Sequence, residues 1–358
     1  MRDTHSFSLD ITEKDEVLFL VASPFQVLCA YESINFFKVK KYTILVIYNP
    51  NDLRTGQLFN TLRYLGLKYK TYIAESTNRI FDILIKRKIS DNFGNLKKFD
   101  FVFVGDYPSS VQRSFAIRFI KIHGQIVFMD DGNTSLLVLL NKKIFSAKAR
   151  LFNTFFSILA LLKRLKKNVF FSTYSDVNTK QKVIPNNLES LRNEECSKEG
   201  VFFIGTNSVP YCEVHQMKTD DYYNVLEKVL LMLRNSNQGQ LCYYIFHGRD
   251  IGNQQIESIC EKCGFKTLKL EEIVEMYFVK NKIEPLLVAG FTSSALYNLK
   301  KMFPLLKIID VSVKTNLFVN KEYEMISLYY KSNGIDGICI ELNNESSSIK
   351  AVSQAKND

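Results

Sequence analysis

Four short polar segments contain the residue types that could do chemistry, and each closely follows an apolar run of the chain. They are Asp130-Asp131-Gly132, Gly205-Thr206-Asn207, His247-Gly248-Arg249 and Ser293-Ser294. Short apolar runs are typical of buried strands, and ligands of open α/β sheets bind at the carboxyl ends of the strands. We therefore expect the four segments to lie at strand ends and to line binding sites.

Three of these segments suit a phosphate group. His247 is a titratable donor and Arg249 is a fixed cation. Ser293 and Ser294 begin a helical pattern, where hydroxyls, backbone N–H groups and the helix dipole favour an anion. Gly205 allows backbone N–H groups to approach a ligand closely. Each segment also fits a structural role, namely a surface histidine, an ordinary helix cap or a turn.

The adjacent carboxylates of Asp130 and Asp131 suit proton transfer. Two carboxylates at one strand end can raise each other's pKa, which is useful for a general base. The alternative is an ordinary Asp-Gly turn, in which the aspartate side chain bonds to nearby backbone.

The elements that must position these residues alternate between strand and helix. Predicted strands cover residues 17–22, 42–48, 68–74, 99–105, 125–129, 201–205, 241–246, 266–270, 286–291 and 305–311. Predicted helices cover residues 24–37, 54–66, 78–89, 109–122, 219–234, 254–263, 271–278 and 292–302. Such alternation indicates βαβ units and parallel sheets. We predict an α/β protein with two Rossmann-like domains that face each other across a central cleft.

The domain boundaries follow from shifts in composition. We predict a flexible arm over 1–15, an N-terminal domain over 16–171, a polar linker over 172–199, a C-terminal domain over 200–342 and a disordered tail over 343–358. The length of 358 residues fits two domains. The seven cysteines are odd in number, which favours reduced thiols over a disulfide framework. The lone Cys260-Glu-Lys-Cys263 lacks a second pair, so we predict no metal site.

The stretch 141–171 combines phenylalanine and leucine with many cations, and we predict that it is helical. Its apolar run is too short to span a bilayer but suits a helix lying at an anionic membrane surface. The alternative is a helix between domains with a solvated basic face. The net charge of +10 favours anionic partners in general, including nucleotides, nucleic acid and acidic lipid. The interleaved aromatic and basic pattern of an RNA-binding platform is not present, so we predict no nucleic-acid partner.

Taken together, these motifs resemble those of the bacterial sialyltransferases. That group has an acidic-acidic-glycine motif, a His-Pro motif and a Ser-Ser motif, and the order here is Asp130-Asp131-Gly132, His247-Gly248 and Ser293-Ser294. Ser293 follows His247 by 46 residues, a spacing similar to that of the family. Residues 17–34 also resemble the opening of the lipooligosaccharide sialyltransferases, glycosyltransferase family 52, including the turn Ser23-Pro-Phe-Gln26. Gly248 replaces the proline of the family.

The resemblance implies a GT-B fold and an inverting, metal-independent transfer. The implied donor is CMP-sialic acid or a related CMP-nonulosonate, and no other cofactor is implied. The implied acceptor is a hydroxyl of a terminal galactose, or a similar sugar, on a lipooligosaccharide, O-antigen or capsule. Such acceptors are lipid-linked, so the expected location is cytoplasmic, with peripheral contact at the inner face of the bacterial cytoplasmic membrane.

The resemblance also implies roles for individual residues. Asp131 would be the general base with Asp130 tuning it, and His247 would bind the phosphate and assist the leaving oxygen. Expected donor-binding residues are Gly205, Thr206, Asn207, Gly248, Arg249, Glu272, Ser293 and Ser294. Expected acceptor-binding residues are Ser23, Gln26 and Gly132. Asp221, or its neighbour Asp220, is the alternative base.

Two other functions stay open on the sequence alone. One is a GT-B transferase or epimerase that uses a different nucleotide sugar. The other is a non-enzymatic basic protein that binds membranes or nucleic acid through its charge.

Overall fold

The computed structural model describes residues 9–52, 54–74, 97–141, 147–192, 195–315, 320–342 and 350–353. The chain divides into two units, Met1–Ser190 and Leu191–Asp358. Each unit has one large sheet with helices packed on it. None of the helices in the described ranges is both long and apolar enough to cross a membrane.

The first unit contains a seven-stranded parallel sheet of order β3-β2-β1-β4-β5-β6-β7. Its strands are β1 Glu16–Val21, β2 Lys41–Tyr48, β3 Lys70–Ile73, β4 Phe99–Val104, β5 Ile120–Phe128, β6 Val169–Ser172 and β7 Lys182–Pro185. Its described helices are α1 Pro24–Phe36, α2 Thr55–Tyr64, α3 Ser110–Phe119, α4 Asn133–Leu139 and α5 Ala147–Leu162. The central strands are apolar throughout because both of their faces are buried.

The second unit contains a sheet of order β11-β10-β9-β13-β14-β15-β16, parallel except for its last strand. Its strands are β9 Val201–Ile204, β10 Cys242–Ile245, β11 Lys266–Leu268, β13 Leu287–Gly290, β14 Lys307–Thr315, β15 Asp336–Leu342 and β16 Lys350–Ser353. A separate small sheet pairs β8 Ser197–Lys198 with β12 Ile283–Glu284. The described helices of the second unit are α6 Ser208–His215, α7 Thr219–Ser236, α8 Gln254–Lys262, α9 Val274–Asn281, α10 Ser294–Met302 and α11 Lys321–Ser332.

Both sheets reverse their strand order at one point. The reversal falls between β1 and β4 in the first unit, where Leu20 is aligned with Val104. It falls between β9 and β13 in the second unit, where Ile204 is aligned with Gly290. The loops that leave adjacent strands at such a point diverge and open a crevice, which is where doubly wound sheets bind ligands.

The structure corrects several predicted elements of the first unit. The helix predicted over 109–122 ends at Phe119, because the chain enters β5 at Ile120. The helix predicted over 141–171 is interrupted, since the chain forms α5 and then β6 within that range. The helix predicted over 78–89 lies outside the described residues.

The predicted linker, arm and tail also differ from the structure. The range 172–199 is not a free linker, because β7 pairs with β6 in the first sheet and β8 pairs with β12. Within the predicted arm, Leu9 is buried in the first core. The second unit has α6, α11 and β15, which were not predicted. Within the predicted disordered tail, β16 pairs with β15.

Candidate functional site

In the first unit, Gln26 connects three strand exits. Its Nε2 donates to Asp131 Oδ1 at 2.8 Å, and its Oε1 accepts from Ala22 N at 2.7 Å and from Gln112 Nε2 at 3.0 Å. Gln112 in turn accepts from Asp106 N at 2.9 Å. The exits of β1, β4 and β5 are therefore joined by one amide network, and Gln26 fixes the position of the Asp131 carboxylate.

The network depends on a glycine that the sequence analysis did not assign to the site. Gly105 follows β4, and a Cβ at this position would lie 2.2 Å from Gln26 Oε1. Any larger residue would push the Gln26 side chain away from Asp131. The sequence signal was weak, because a glycine ending a strand usually indicates only a turn.

Asp131 has the environment of a proton acceptor. Burial raises the pKa of its carboxyl group, and the hydrogen bond from Gln26 and the charge of Arg54 partly oppose this rise. The residue is nevertheless partly exposed at the end of β5. A carboxylate with a raised pKa that solvent can reach is suited to accept a proton.

Asp130 is buried, and its carboxylate has a structural role in the first unit. It is 1 % exposed, its Oδ1 accepts from Ser172 Oγ at 2.6 Å, and its Oδ2 accepts from Thr173 N at 2.6 Å. Burial raises its pKa to about 6, although these hydrogen bonds act in the opposite direction. Asp130 therefore connects the exits of β5 and β6, a role that the sequence analysis did not anticipate for it.

The other two predicted acceptor-binding residues have local structural roles. Gly132 has φ 61° and ψ −146° and precedes α4, a backbone conformation that essentially only glycine adopts. The hydroxyl of Ser23 accepts from Gln26 N at 3.3 Å and caps α1, with Pro24 at the first helical position. Both residues flank the Gln26–Asp131 pair.

In the second unit, His247 leaves β10 in a tight turn. Arg249 N donates to His247 Nδ1 at 3.3 Å, and Asp250 N donates to His247 O at 2.8 Å. Because Nδ1 is an acceptor, the neutral ring holds its proton on Nε2. His247 and Gly248 are partly exposed, and Arg249 is exposed.

Asp250 connects this turn to the neighbouring strand exit. It is 7 % exposed, and its Oδ2 accepts from Ser208 N at 2.9 Å, at the start of α6. The turn at 247–249 is thereby joined to the segment 205–207, in which Thr206 and Asn207 are partly exposed. Asp250 lies within the predicted turn but was not assigned a role.

Packing inside the second unit requires a glycine at position 205, whether or not a ligand binds there. A Cβ at this position would lie 2.4 Å from the hydroxyl of buried Tyr244. The backbone N–H of Gly205 is already hydrogen-bonded, since it donates to Ile245 O at 2.8 Å. The prediction that Gly205 lets the backbone approach a ligand therefore competes with a packing requirement.

Ser293 caps α10 at the reversal point of the second sheet. Its Oγ accepts from Ala295 N at 3.3 Å, and both Ser293 and Ser294 are partly exposed. The residue before them, Thr292, has φ 31°, which is unfavourable for a β-branched side chain. Backbone strain of this kind is often found at ligand sites.

The remaining predicted residues also lie in the second unit. The Glu272 carboxylate forms an ion pair with Lys280 Nζ at 3.3 Å. Asp220 and Asp221 lie in the first turn of α7, where carboxylates stabilise the helix dipole. Within the described ranges, His, Cys, Asp and Glu form no group of three or more that could hold a metal ion.

A cavity of about 790 Å³, including its open mouth, lies beside Thr292. Its lining includes His215, Asp310, Tyr323 and Ser327. His215 is 4 % exposed, and burial lowers its pKa to about 4. Asp310 is 2 % exposed with a pKa raised by burial, and it accepts from Ser327 Oγ at 2.6 Å.

Comparison with solved structures identifies the fold. The chain is similar to Phytolacca americana UGT2 complexed with UDP-2-fluoro-glucose and pterostilbene, at 8% identity over 92% of this chain and 86% of that chain, with a TM-score of 0.53. It is also similar to a Photobacterium sp. JT-ISH-224 2,6-sialyltransferase complexed with CMP and lactose. The identity is 10% over 88% of this chain and 76% of that chain, with a TM-score of 0.51.

A third similar structure, from Listeria monocytogenes, is described as a UDP-N-acetylglucosamine 2-epimerase. The identity is 9% over 84% of this chain and 80% of that chain, with a TM-score of 0.51. Neither a protein-family model nor a curated protein sequence matches this chain. The similarity to solved structures, together with the two reversing parallel sheets, confirms the predicted α/β fold of the GT-B class.

Proposed function

We propose that the protein is an inverting glycosyltransferase related to the glycosyltransferase family 52 enzymes. Its donor is CMP-sialic acid or a related CMP-nonulosonate, and its acceptor is a hydroxyl of a terminal galactose or similar sugar of a surface glycan. The observation that carries the proposal is the hydrogen bond from Gln26 to Asp131 in a chain with the GT-B fold. It joins the Ser-Pro-x-Gln turn and the acidic-acidic-glycine motif, two sequence features that were recognised separately.

The proposed reaction is a single displacement. The acceptor hydroxyl oxygen attacks the anomeric carbon, and its proton passes to Asp131. The bond between that carbon and the phosphate oxygen breaks, and CMP leaves with the electron pair. His247 donates a hydrogen bond from Nε2 to the phosphate, and the amino-terminal end of α10 at Ser293 and Ser294 binds its remaining charge.

The test is incubation of the protein with CMP-sialic acid and a panel of galactosides, with products identified by mass. Asp131→Asn keeps the acceptor for the Gln26 amide but cannot take a proton, so it should lower kcat at least about 100-fold. Asp336→Asn, which removes an exposed carboxylate of the second unit, should leave kcat unchanged. If Asp221→Asn abolishes transfer while Asp131→Asn does not, the base is Asp221.

A different nucleotide sugar is the second candidate. The structural similarity to UGT2 complexed with UDP-2-fluoro-glucose is as high as that to the 2,6-sialyltransferase complexed with CMP, with TM-scores of 0.53 and 0.51. Calorimetry with CMP, UDP and GDP separates the candidates, since only CMP should bind under the main proposal. Salt-sensitive binding to any nucleic acid duplex, without nucleotide affinity, would instead support a non-enzymatic basic protein.

A further inference from the structure

An apolar surface on the first unit is exposed to solvent although its side chains are large. We call it the apolar ridge, and it consists of Ile122, Phe155, Ile158, Leu161 and Leu162, which are 67%, 45%, 51%, 78% and 73% exposed. The last four lie on one face of α5 at helical spacing. Ile122 joins them because His123 N donates to Lys163 O at 3.1 Å. Contiguous exposed apolar surface of this kind usually marks an interaction site.

The opposite face of α5 is anchored to the unit. Phe156 is 5 % exposed, and the Arg113 guanidinium lies 4.2 Å from the centre of its ring. The helix therefore has one face used in packing and one face presented outward.

Cations surround the ridge. Lys98, Arg118 and Lys163 gather near the carboxyl end of α3, where Lys163 Nζ donates to Ile120 O at 3.1 Å. Burial and the charge of Arg118 lower the pKa of Lys98. Burial and the charge of Lys98 lower the pKa of Lys163 to about 8. Lys98 and Arg118, and Lys98 and Lys163, lie close enough for each to act on the other's charge, so the carboxyl end of α3 is a basic region.

The stretch of sequence that contains α5 has no acidic residue of its own. The sequence has no Asp or Glu between Asp131 and Asp176 and has eight Lys or Arg there. Arg164, Lys166 and Lys167 follow α5 directly and are exposed. In a symmetric dimer formed through this surface, the second copy would bring the same cations against it, so charge complementarity disfavours such a dimer and favours an anionic partner.

We propose that the apolar ridge docks the protein on a membrane rich in anionic phospholipid. The ridge side chains enter the boundary between headgroups and acyl chains, and the surrounding cations bind the lipid phosphates. This inference goes beyond the proposed function and does not depend on it. It extends the expectation from residues 141–171 to a surface that includes Ile122, Lys98 and Arg118, which come from other parts of the chain.

The test is vesicle flotation of the full chain with phosphatidylcholine, with and without phosphatidylglycerol. The wild type should bind only when phosphatidylglycerol is present, and added salt should weaken binding. The double variant Leu161→Ser, Leu162→Ser should lower the partition coefficient at least about tenfold. Lys166→Glu, Lys167→Glu should weaken binding to anionic vesicles while leaving the apolar side chains intact.

The matched control is Leu305→Ser, which removes a leucine that is 89% exposed on the second unit. It should bind vesicles as the wild type does. Transfer to a soluble acceptor such as lactose should be unchanged in all variants, so loss of vesicle binding and loss of activity are separate readouts. The proposal is overturned if the ridge variants float like the wild type. It is also overturned if they abolish a wild-type dimer in sedimentation while vesicle binding is absent.

Discussion

The position of the Asp131 carboxylate depends on a glutamine from another strand exit. Asp131 was a candidate because it follows an apolar run that predicts a strand, whereas Gln26 was a candidate only through the resemblance of its turn to that of the family 52 enzymes. Gln112 and Gly105 could not be predicted, because their roles are contacts across the sheet, and Gln112 reaches Gln26 over 86 residues of chain. A short hydrogen-bonded network of this kind leaves no periodic pattern in the sequence.

Gln26→Leu should change the pH dependence of transfer. The Gln26 hydrogen bond lowers the pKa of Asp131, so its loss should raise that pKa further. The base must be ionised, and therefore the acidic limb of kcat/KM should move to higher pH. The measurement is a pH–rate profile, with Gln255→Leu, an exposed glutamine of the second unit, as the control. An unmoved limb would mean that Gln26 does not tune the base.

Gly105→Ala should reduce both stability and activity. The new methyl group would lie 2.2 Å from Gln26 Oε1, so the side chain must move, and we expect a loss of about 1–3 kcal/mol in the free energy of unfolding. Gly56→Ala is the control, because a Cβ there meets nothing within 4 Å. Chemical denaturation of both variants measures the difference, and equal stabilities would contradict the contact.

His215 should make stability fall as the solution becomes acidic. Its pKa is about 4 in the folded protein because of burial, whereas the ordinary value is 6.5. Between these values the unfolded chain binds a proton that the folded chain does not, so unfolding is favoured as pH falls from 6.5 towards 4. At about pH 5 this amounts to about 2 kcal/mol relative to neutral pH.

The measurement is the free energy of unfolding near neutral pH and at about pH 5 for the wild type and His215→Phe. The wild type should lose more stability than the variant. Asp130 acts in the opposite direction, since its raised pKa of about 6 favours the folded state at low pH. Its contribution is common to both proteins and cancels in the comparison. Identical pH dependences would show that His215 is not buried in its neutral form.

Elements with a single strong pattern were the predictable ones. The central strands are continuous apolar runs, and α1 has a serine cap followed by proline, so both were expected from local sequence. β6 was missed because its Val-Phe-Phe sequence follows the leucine-rich run of α5. β7 was missed because its two apolar residues lie among polar ones, and only pairing with β6 makes it a strand.

The start of α10 allows capping to be separated from ligand binding. Ser293→Ala removes a helix cap and should cost about 1 kcal/mol in stability. Under the proposed function it should also weaken CMP binding, because the same hydroxyl faces the phosphate. Asn253→Ala removes the cap of α8 and is the matched control, with a similar loss of stability but no loss of CMP affinity. Calorimetry on both variants checks this, and equal affinities would place the phosphate elsewhere.

At the scale of the whole molecule, the sequence predicted two parallel sheets but not the order of their strands. The alternation of strand and helix requires crossovers, but it does not determine where the order reverses. The boundary between the units falls after Ser190, inside the stretch that was expected to be a linker, because β7 completes the first sheet. The GT-B class was implied by the resemblance to the bacterial sialyltransferases rather than by composition.

A fragment ending at Ser190 should fold by itself. All seven described strands of the first sheet lie within it, and the central ones are fully buried there. Urea denaturation of residues 1–190 should give one cooperative transition, with a slope expected for its size. A fragment ending at Leu165 is the control, since it lacks β6 and β7 and should not unfold cooperatively. A non-cooperative transition for the longer fragment would show that the first unit needs the second.

The first sheet is built from one uninterrupted stretch of chain, and this has a consequence for biosynthesis. Every strand of this sheet that the structure describes comes from the first unit. The amino-terminal half can therefore acquire its native structure on the ribosome soon after β7 emerges, while the carboxyl-terminal half is still being translated. A nascent chain that folds in this order exposes the strands of only one parallel sheet at a time, which limits the opportunity for mispairing between the two halves.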